Sequence, residues 1–170
     1  MIPKYHADFI TITCLNHEFV LADDLRKDVI IESLRFLVKD HHVVIFAFVI
    51  MINHLHLIWQ MRDDHEPGDI QRDFLKFTAR ALLGIMREEN DPILNRLVVQ
   101  TSDRENQVWE RSSLRIPLWS HRVFNQKLNY IHMNPVRAGL CKYPEDYKYS
   151  SARFYLTGEK NWDFLTHASS

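Results

Sequence analysis

Two histidines separated by one residue, His54 and His56, are the first candidates for chemistry. On a β-strand, side chains two residues apart point to the same face and lie about 6.6 Å apart along the chain. Both imidazoles could then approach one metal ion while Leu55 and Leu57 enter the core. The chain holds 10 histidines, so the pair also fits two polar residues on a half-exposed strand. The motif alone leaves both interpretations open.

Tyr130 and Asn134 are the second candidates, because they are four residues apart in a segment of helical pattern. Residues at this spacing are neighbours on one helix face, so a phenol and an amide oxygen could reach the same ion or phosphate. An ordinary structural interpretation is also available. The tyrosine would be a core ring with its hydroxyl at the rim, and Asn134 before Pro135 would be a helix stop.

The two pairs together are more specific than either one alone, because they suit transfer of a phosphodiester through tyrosine. A phenol with an ordinary pKa of about 10 is roughly 0.1% ionised at pH 7, so it needs help to act as a nucleophile. A bound metal that polarises the scissile phosphate lowers the barrier by neutralising charge on its oxygens. A covalent phosphotyrosine would conserve the ester, so DNA could be resealed without ATP.

Several cations could follow a DNA backbone near these groups. Arg137 follows Asn134 closely, and Lys127 and Arg122 precede Tyr130 by about one and two helical turns. Lys76 and Arg80 occupy another predicted helix. Each residue also has an ordinary interpretation, as a helix-end arginine that satisfies carbonyls or as part of a solvated helix face.

The elements that must position these residues follow from hydrophobic periodicity and from breaks at Gly, Pro and Asn. Pro135 is expected to disturb the third helix, since the residue before proline is pushed out of the helical region. The predicted elements are a strand at 8–15, a helix at 23–39, strands at 43–51 and 54–61, a helix at 68–89, a strand around 107–111 and a helix at 120–133.

This order predicts an α+β fold of the ferredoxin-like type, with an antiparallel sheet, helices on one face and an added C-terminal helix that carries the tyrosine. We expect one domain over residues 1–170. The aromatic residues after Pro144 indicate an ordered tail. We expect Trp59, Trp109 and Trp119 to pack in the core rather than to stack on bases.

Composition limits the class of protein. The formal net charge of −1 disfavours a protein that coats DNA without regard to sequence. However, residues 104–156 carry nine Lys and Arg against four Asp and Glu, which indicates either a basic face or chance unevenness. The two cysteines, Cys14 and Cys141, are far apart and predict no disulfide framework. With no long apolar run and no signal-like start, a cytoplasmic protein without membrane contact is expected.

Five segments together carry a family resemblance. They are AFVIMINHLHLIWQ (47–60), IQRDFLKFTAR (70–80), VW (108–109), YIHMNPVRAGL (130–140) and YPEDYKYSS (143–151). The chain resembles the REP-associated tyrosine transposases, in the insertion-sequence-200-like, single-tyrosine branch of the His-hydrophobe-His nucleases, over about residues 5–155. One departure is Ile52, where the family pattern has proline before Asn53 and His54. This change should alter the hairpin turn and leave the histidines in place.

The resemblance implies a role for each matched residue. His54, His56 and Asn134 would hold Mg²⁺ or Mn²⁺, and this nitrogen-rich set suits Mn²⁺ better than Mg²⁺. Tyr130 would attack single-stranded DNA at the base of a hairpin of the repetitive palindromic type. The reaction would leave a 5′-phosphotyrosine and a free 3′-OH, and rejoining would complete a strand transfer of the kind used in DNA transposition and recombination. Monomer and homodimer both remain open.

Two alternative functions remain. A domesticated, non-catalytic nucleic-acid-binding module of the same fold would recognise hairpins without turnover. A zinc-dependent hydrolase of small molecules would use His54 and His56 with a carboxylate or a third histidine, and the sequence places none at helical spacing from Asn134.

Overall fold

The computed structural model describes residues 6–40, 42–62 and 65–168. The predicted domain over 1–170 and the resemblance from residue 5 therefore extend outside the described residues. No helix in the described ranges is both long and apolar enough to cross a membrane.

Six strands and four helices form the described fold. The strands are β1 (Asp8–Thr13), β2 (Val43–Ile50), β3 (His54–Met61), β4 (Val98–Thr101), β5 (Arg104–Asn106) and β6 (Leu114–Pro117). The helices are α1 (Asp24–Lys39), α2 (Pro67–Glu88), α3 (His121–Arg137) and α4 (Ala152–Thr157). Four strands form an antiparallel sheet in the order β2-β3-β1-β6, and β4 and β5 form a separate hairpin.

The side chains of β3 alternate between the two faces of the sheet, as a period of two requires. Leu55, Leu57 and Trp59 lie in the larger core, which also contains apolar residues of α1 and α2. Ile58 belongs to a smaller core on the other face, where Ile131 of α3 packs against it. His54 and His56 share the face of Ile58, so the sheet presents both imidazoles toward α3.

The observed architecture confirms the predicted α+β class, with α1 and α2 against one face of the antiparallel sheet. The added helix α3 covers the other face and carries Tyr130. The aromatic tail is ordered as predicted, because Tyr149, Phe164 and Leu165 are buried in the larger core.

The predicted disturbance at Pro135 is wrong, because α3 continues to Arg137 with the proline inside it. Proline removes one hydrogen bond, the one that its own amide would donate to the Ile131 carbonyl, and the helix ends two residues later at Arg137. Gly139 adopts φ +72°, and the amides of Gly139 and Leu140 donate to the carbonyls of Val136 and Pro135. This glycine-based cap completes the helix end.

The predicted strand at 107–111 is misplaced, because the fourth strand of the sheet is β6 at Leu114–Pro117. The earlier segment does reach the sheet: Trp109 forms an isolated bridge with Cys14, and the Leu15 amide donates to the Val108 carbonyl at 2.7 Å. The 107–111 segment therefore pairs with the residues that follow β1. The regular antiparallel pairing with β1 itself begins only at Leu114.

Candidate active site

The two histidines of β3 lie side by side on the face of the sheet that α3 covers. Their ring centroids are 4.9 Å apart. His56 is 4% exposed, because Phe9 of β1 stacks on its ring at a centroid distance of 5.3 Å. His54 is less buried and lies at the start of the strand.

Each imidazole uses its Nδ1 atom in a hydrogen bond with a neighbour. His56 Nδ1 lies 2.8 Å from the Thr11 hydroxyl, and His54 Nδ1 lies 2.8 Å from the Asn53 amide oxygen. Because an amide oxygen only accepts, His54 must donate from Nδ1. His56 Nε2 accepts from the Asn134 amide nitrogen at 3.3 Å, so His56 also carries its proton on Nδ1. Both rings therefore present an Nε2 lone pair.

Burial keeps both imidazoles neutral. Desolvation, followed by the charges of His54 and Lys127, lowers the pKa of His56 to about 3. Desolvation also lowers the pKa of His54, although a hydrogen bond with Asn134 opposes this. A metal ligand must be the unprotonated imidazole, so these environments suit ligation across the ordinary pH range.

Helix α3 brings Asn134 and Tyr130 to the histidines. The Asn134 side chain hydrogen-bonds His56, and its proximity to His54 opposes the lowering of the His54 pKa. The Tyr130 ring packs edge-on to His56 at a centroid distance of 5.2 Å and is 38% exposed. The four predicted residues thus meet between one strand and one helix, with the tyrosine at the rim where a substrate could reach it.

Two cations flank the tyrosine ring. Lys127 Nζ lies 5.5 Å from the ring centroid of Tyr130 and 4.7 Å from that of Phe9, and the Arg137 guanidinium lies 5.3 Å from the Tyr130 centroid. These residues also line an open cavity of about 370 Å³ together with Gln126 and Asn129. Positive charge beside an accessible phenol is an arrangement that would attract a phosphate group.

The donor set fits a divalent metal whose ligands include an amide oxygen. Two neutral imidazoles and the Asn134 side chain meet, and among the described residues no group of three or more His, Cys, Asp or Glu could hold an ion. The Asn134 Nδ2 atom faces His56, and the same amide carries the Oδ1 atom as a possible ligand. Two nitrogen ligands and one oxygen ligand would suit Mn²⁺ better than Mg²⁺. The donor set lacks the carboxylate or third histidine that the zinc-hydrolase alternative requires.

Three of the predicted DNA-binding cations lie away from this cluster. Arg122 is exposed in the first turn of α3, and the 370 Å³ cavity does not include it. Lys76 and Arg80 lie on α2, which packs on the opposite face of the sheet, and they line a different groove. Only Lys127 and Arg137 of the predicted set reach Tyr130.

Some residues at the site were missed by sequence reasoning. Phe9 and Thr11 contact His56 because β1 pairs with β3, with Thr11 directly opposite His56. Their alternation in a predicted strand was the available signal, but the register between strands was not. The predicted core position of Trp119 is wrong: it is 71% exposed, and its ring is tilted against that of His6 at a centroid distance of 4.0 Å, whereas Trp59 and Trp109 are buried as predicted.

A strand that bears two histidines, facing a helix that bears a tyrosine and an asparagine, is the arrangement that the family resemblance implied. No protein-family model matches the sequence, and no curated protein matches it. Solved structures do. A REP-associated tyrosine transposase bound to a REP hairpin superposes with a TM-score of 0.68 at 17% identity, over 97% of this chain and 88% of that chain.

A second match comes from Deinococcus radiodurans R1 and is a candidate transposase. It superposes with a TM-score of 0.51 at 17% identity, over 77% of this chain and 92% of that chain. At this identity the likeness establishes a shared fold. Both neighbours are named as transposases, which supports the family resemblance of the sequence.

Proposed function

We propose that this protein is a tyrosine transposase that cleaves and rejoins single-stranded DNA at hairpins through a covalent bond to Tyr130. The observation that carries the proposal is the meeting of Tyr130 and Asn134 of α3 with His54 and His56 of β3. The hairpin-bound neighbour of the same fold supports DNA hairpins, of the repetitive palindromic type, as substrates. A cytoplasmic location is part of the proposal.

His54, His56 and Asn134 would hold Mg²⁺ or Mn²⁺. The bound ion would polarise the scissile phosphate and neutralise charge on its oxygens. The protein contributes the neutral imidazoles, which Thr11 and Asn53 fix in the tautomer that carries no proton on Nε2. Phe9 closes one side of His56 against water.

In the chemical step, the Tyr130 oxygen forms a bond to phosphorus while the bond from phosphorus to the 3′ oxygen breaks. The phenolic proton leaves to solvent, and the departing 3′ oxygen takes up a proton as a free 3′-OH. Lys127 and Arg137 lie beside the phenol and would orient the phosphate by contacting its oxygens. Attack of a 3′-OH on the 5′-phosphotyrosine reverses these bond changes and rejoins the strand.

One chain supplies every group in this scheme, because α3 places Tyr130 against the His56 of its own sheet. This supports cleavage in cis, whether the protein acts as a monomer or as a homodimer. A partner would not be needed to complete the site.

The test is a covalent adduct. A 5′- and 3′-labelled hairpin oligonucleotide incubated with the protein and Mn²⁺ should yield a band on a denaturing gel that carries the label downstream of the cut. Tyr130→Phe should abolish this band and leave hairpin binding within about twofold, because only the hydroxyl is lost. Binding without an adduct in the unmodified protein would refute the enzyme and favour the non-catalytic module.

A further inference from the structure

A second basic surface lies away from the tyrosine, in a groove between α2 and the chain segment 103–111. The groove encloses about 1060 Å³. Six cationic side chains line it, and they face only two acidic ones. The cations are Arg72, Lys76, Arg80 and Arg87 on α2, with Arg104 and Arg111 on the opposite wall.

The two acidic residues of this basic groove do not cancel its charge. Asp103 is paired with its neighbour Arg104, and Glu110 accepts a hydrogen bond from the Asn16 amide at 2.7 Å. Arg72 is paired with Asp69 and Asp73, and Arg87 donates a hydrogen bond to the Asn106 amide oxygen. In the part of the chain that the structure describes, Lys76, Arg80 and Arg111 have neither an ion pair nor a side-chain hydrogen bond. Three cations therefore remain available to an anionic partner, on a protein whose formal net charge is −1.

The spacing of the α2 cations suits a long polyanion. From Arg72 to Arg87 the helix rises about 22 Å, at about 1.5 Å per residue. A DNA strand advances about 3.4 Å per phosphate along the duplex axis, so the groove spans roughly six phosphates. A small anion such as a nucleotide would contact only part of this row.

The residue at the floor of the basic groove indicates whether the groove suits paired or unpaired nucleic acid. Trp109 is the one aromatic residue among the described residues that line it, and it is 5% exposed. Its indole Nε1 donates to the Thr78 hydroxyl at 3.1 Å, so the ring is fixed and covered. Unpaired bases need exposed rings on which to stack, whereas a duplex keeps its bases inside and offers only phosphates.

We propose that the basic groove binds the phosphodiester backbone of paired DNA, namely the stem of the hairpin that Tyr130 cleaves. The choice of this stem rests on the proposed function, whereas the affinity for duplex backbone follows from the groove itself. The groove and Tyr130 lie on opposite sides of the sheet, so DNA bound at both passes an edge of the sheet. Contacts of this kind position the substrate without reading its sequence.

The experiment removes the three unpaired cations together, in the variant Lys76→Gln/Arg80→Gln/Arg111→Gln. Binding of a fluorescent blunt duplex and of an unstructured single strand of equal length is measured between about 50 and 200 mM salt. Three lost phosphate contacts should flatten the slope of log affinity against log salt by about 2.7. Over that range the unmodified protein should then lose on the order of 40-fold more duplex affinity than the variant.

The matched control carries the same charge change at exposed lysines outside the basic groove, in Lys39→Gln/Lys142→Gln/Lys160→Gln. An unchanged duplex slope in the groove variant, or an equal loss in the control, would overturn the proposal. So would an equal loss for single strand and duplex. Tyr130→Phe should keep the duplex slope. The unmodified protein could form no adduct while the groove variant still shows the flatter salt dependence of duplex affinity. In that case the proposed chemistry fails and the groove assignment stands.

Discussion

His56 must meet three conditions to act as a metal ligand. It must stay neutral, keep one tautomer and direct one lone pair toward α3. Burial under Phe9 supplies the first condition, and the hydrogen bond to Thr11 supplies the other two. The ring is therefore organised for ligation before any ion binds.

Loss of the Thr11 hydroxyl should weaken metal binding without removing a ligand. In Thr11→Val the shape is kept, but nothing accepts the His56 Nδ1 proton, so the ring loses its preferred tautomer and orientation. We expect Mn²⁺ affinity, measured by calorimetry or by electron paramagnetic resonance, to fall about 10-fold or more. Thr13→Val is the control. Thr13 lies on β1, like Thr11, and pairs with His54 of β3, but the described part of the chain shows no hydrogen bond from its hydroxyl. Equal affinity in both variants would contradict this role for Thr11.

Prediction at the residue scale succeeded where the rule is local. The period of two in β3 was enough to place His54 and His56 on one face, and the helical period was enough to place Tyr130 beside Asn134. Thr11 could not be found in this way, because its contact depends on the register of β1 against β3. That register is set by the whole sheet rather than by either strand.

At the scale of elements, the helix that delivers the tyrosine depends on how its end is built. Pro135 removes one helical hydrogen bond two residues before α3 ends, and Gly139, with its positive φ, lets the chain form a regular helix cap directly afterwards. Sequence rules treated Pro135 as a break because they consider the residue before proline and not the cap after it. The strand misplaced at 107–111 has a similar origin: its apolar residues pair with the end of β1, while β6 is only four residues long and ends at a proline.

Two glycine substitutions should therefore change stability in opposite directions. A side chain at either Gly139 or Gly84 would meet open space, but only Gly139 has a positive φ, of +72°. Gly139→Ala should cost about 1 kcal/mol by straining the cap of α3, whereas Gly84→Ala in the middle of α2 should add about 0.5–1 kcal/mol. Urea unfolding at equilibrium measures both. A neutral or stabilising Gly139→Ala would contradict the role assigned to this cap.

At the scale of the molecule, the sheet separates two basic surfaces. Lys127 and Arg137 belong to the α3 side and flank Tyr130, while the basic groove belongs to the α2 side. The formal net charge of −1 does not reveal either basic surface, because acidic residues elsewhere in the chain balance their cations. The excess of cations in 104–156 indicated part of this pattern, but four of the six cations in the groove lie on α2, outside that stretch. Only the fold brings these together.

The α1 and α2 layer is held by a buried guanidinium. Arg26 of α1 is 4% exposed and pairs with Asp91, just beyond the end of α2, and with Glu89 and Asp23. Burial by itself raises the pKa of Asp91, but hydrogen bonds from the Ile93 amide and from Arg26 outweigh it and lower the pKa below its ordinary 3.8. The charged carboxylate is therefore stabilised in the folded state.

Removal of this guanidinium in Arg26→Met should cost about 3 kcal/mol near pH 7, because the partly buried Asp91 loses the cation that hydrogen-bonds to it and keeps only the Coulombic attraction of Arg96. A lowered folded-state pKa gives stability that is present above the ordinary value and is lost as pH falls through the folded value. The difference between unmodified protein and variant, measured by urea unfolding, should thus shrink below about pH 3.8. Arg35→Met is the control, since Arg35 pairs with the exposed Asp163 and Glu32 and should contribute about 1 kcal/mol or less. A difference for Arg26→Met that persists unchanged into acid would show that packing, and not this ion pair, accounts for its effect.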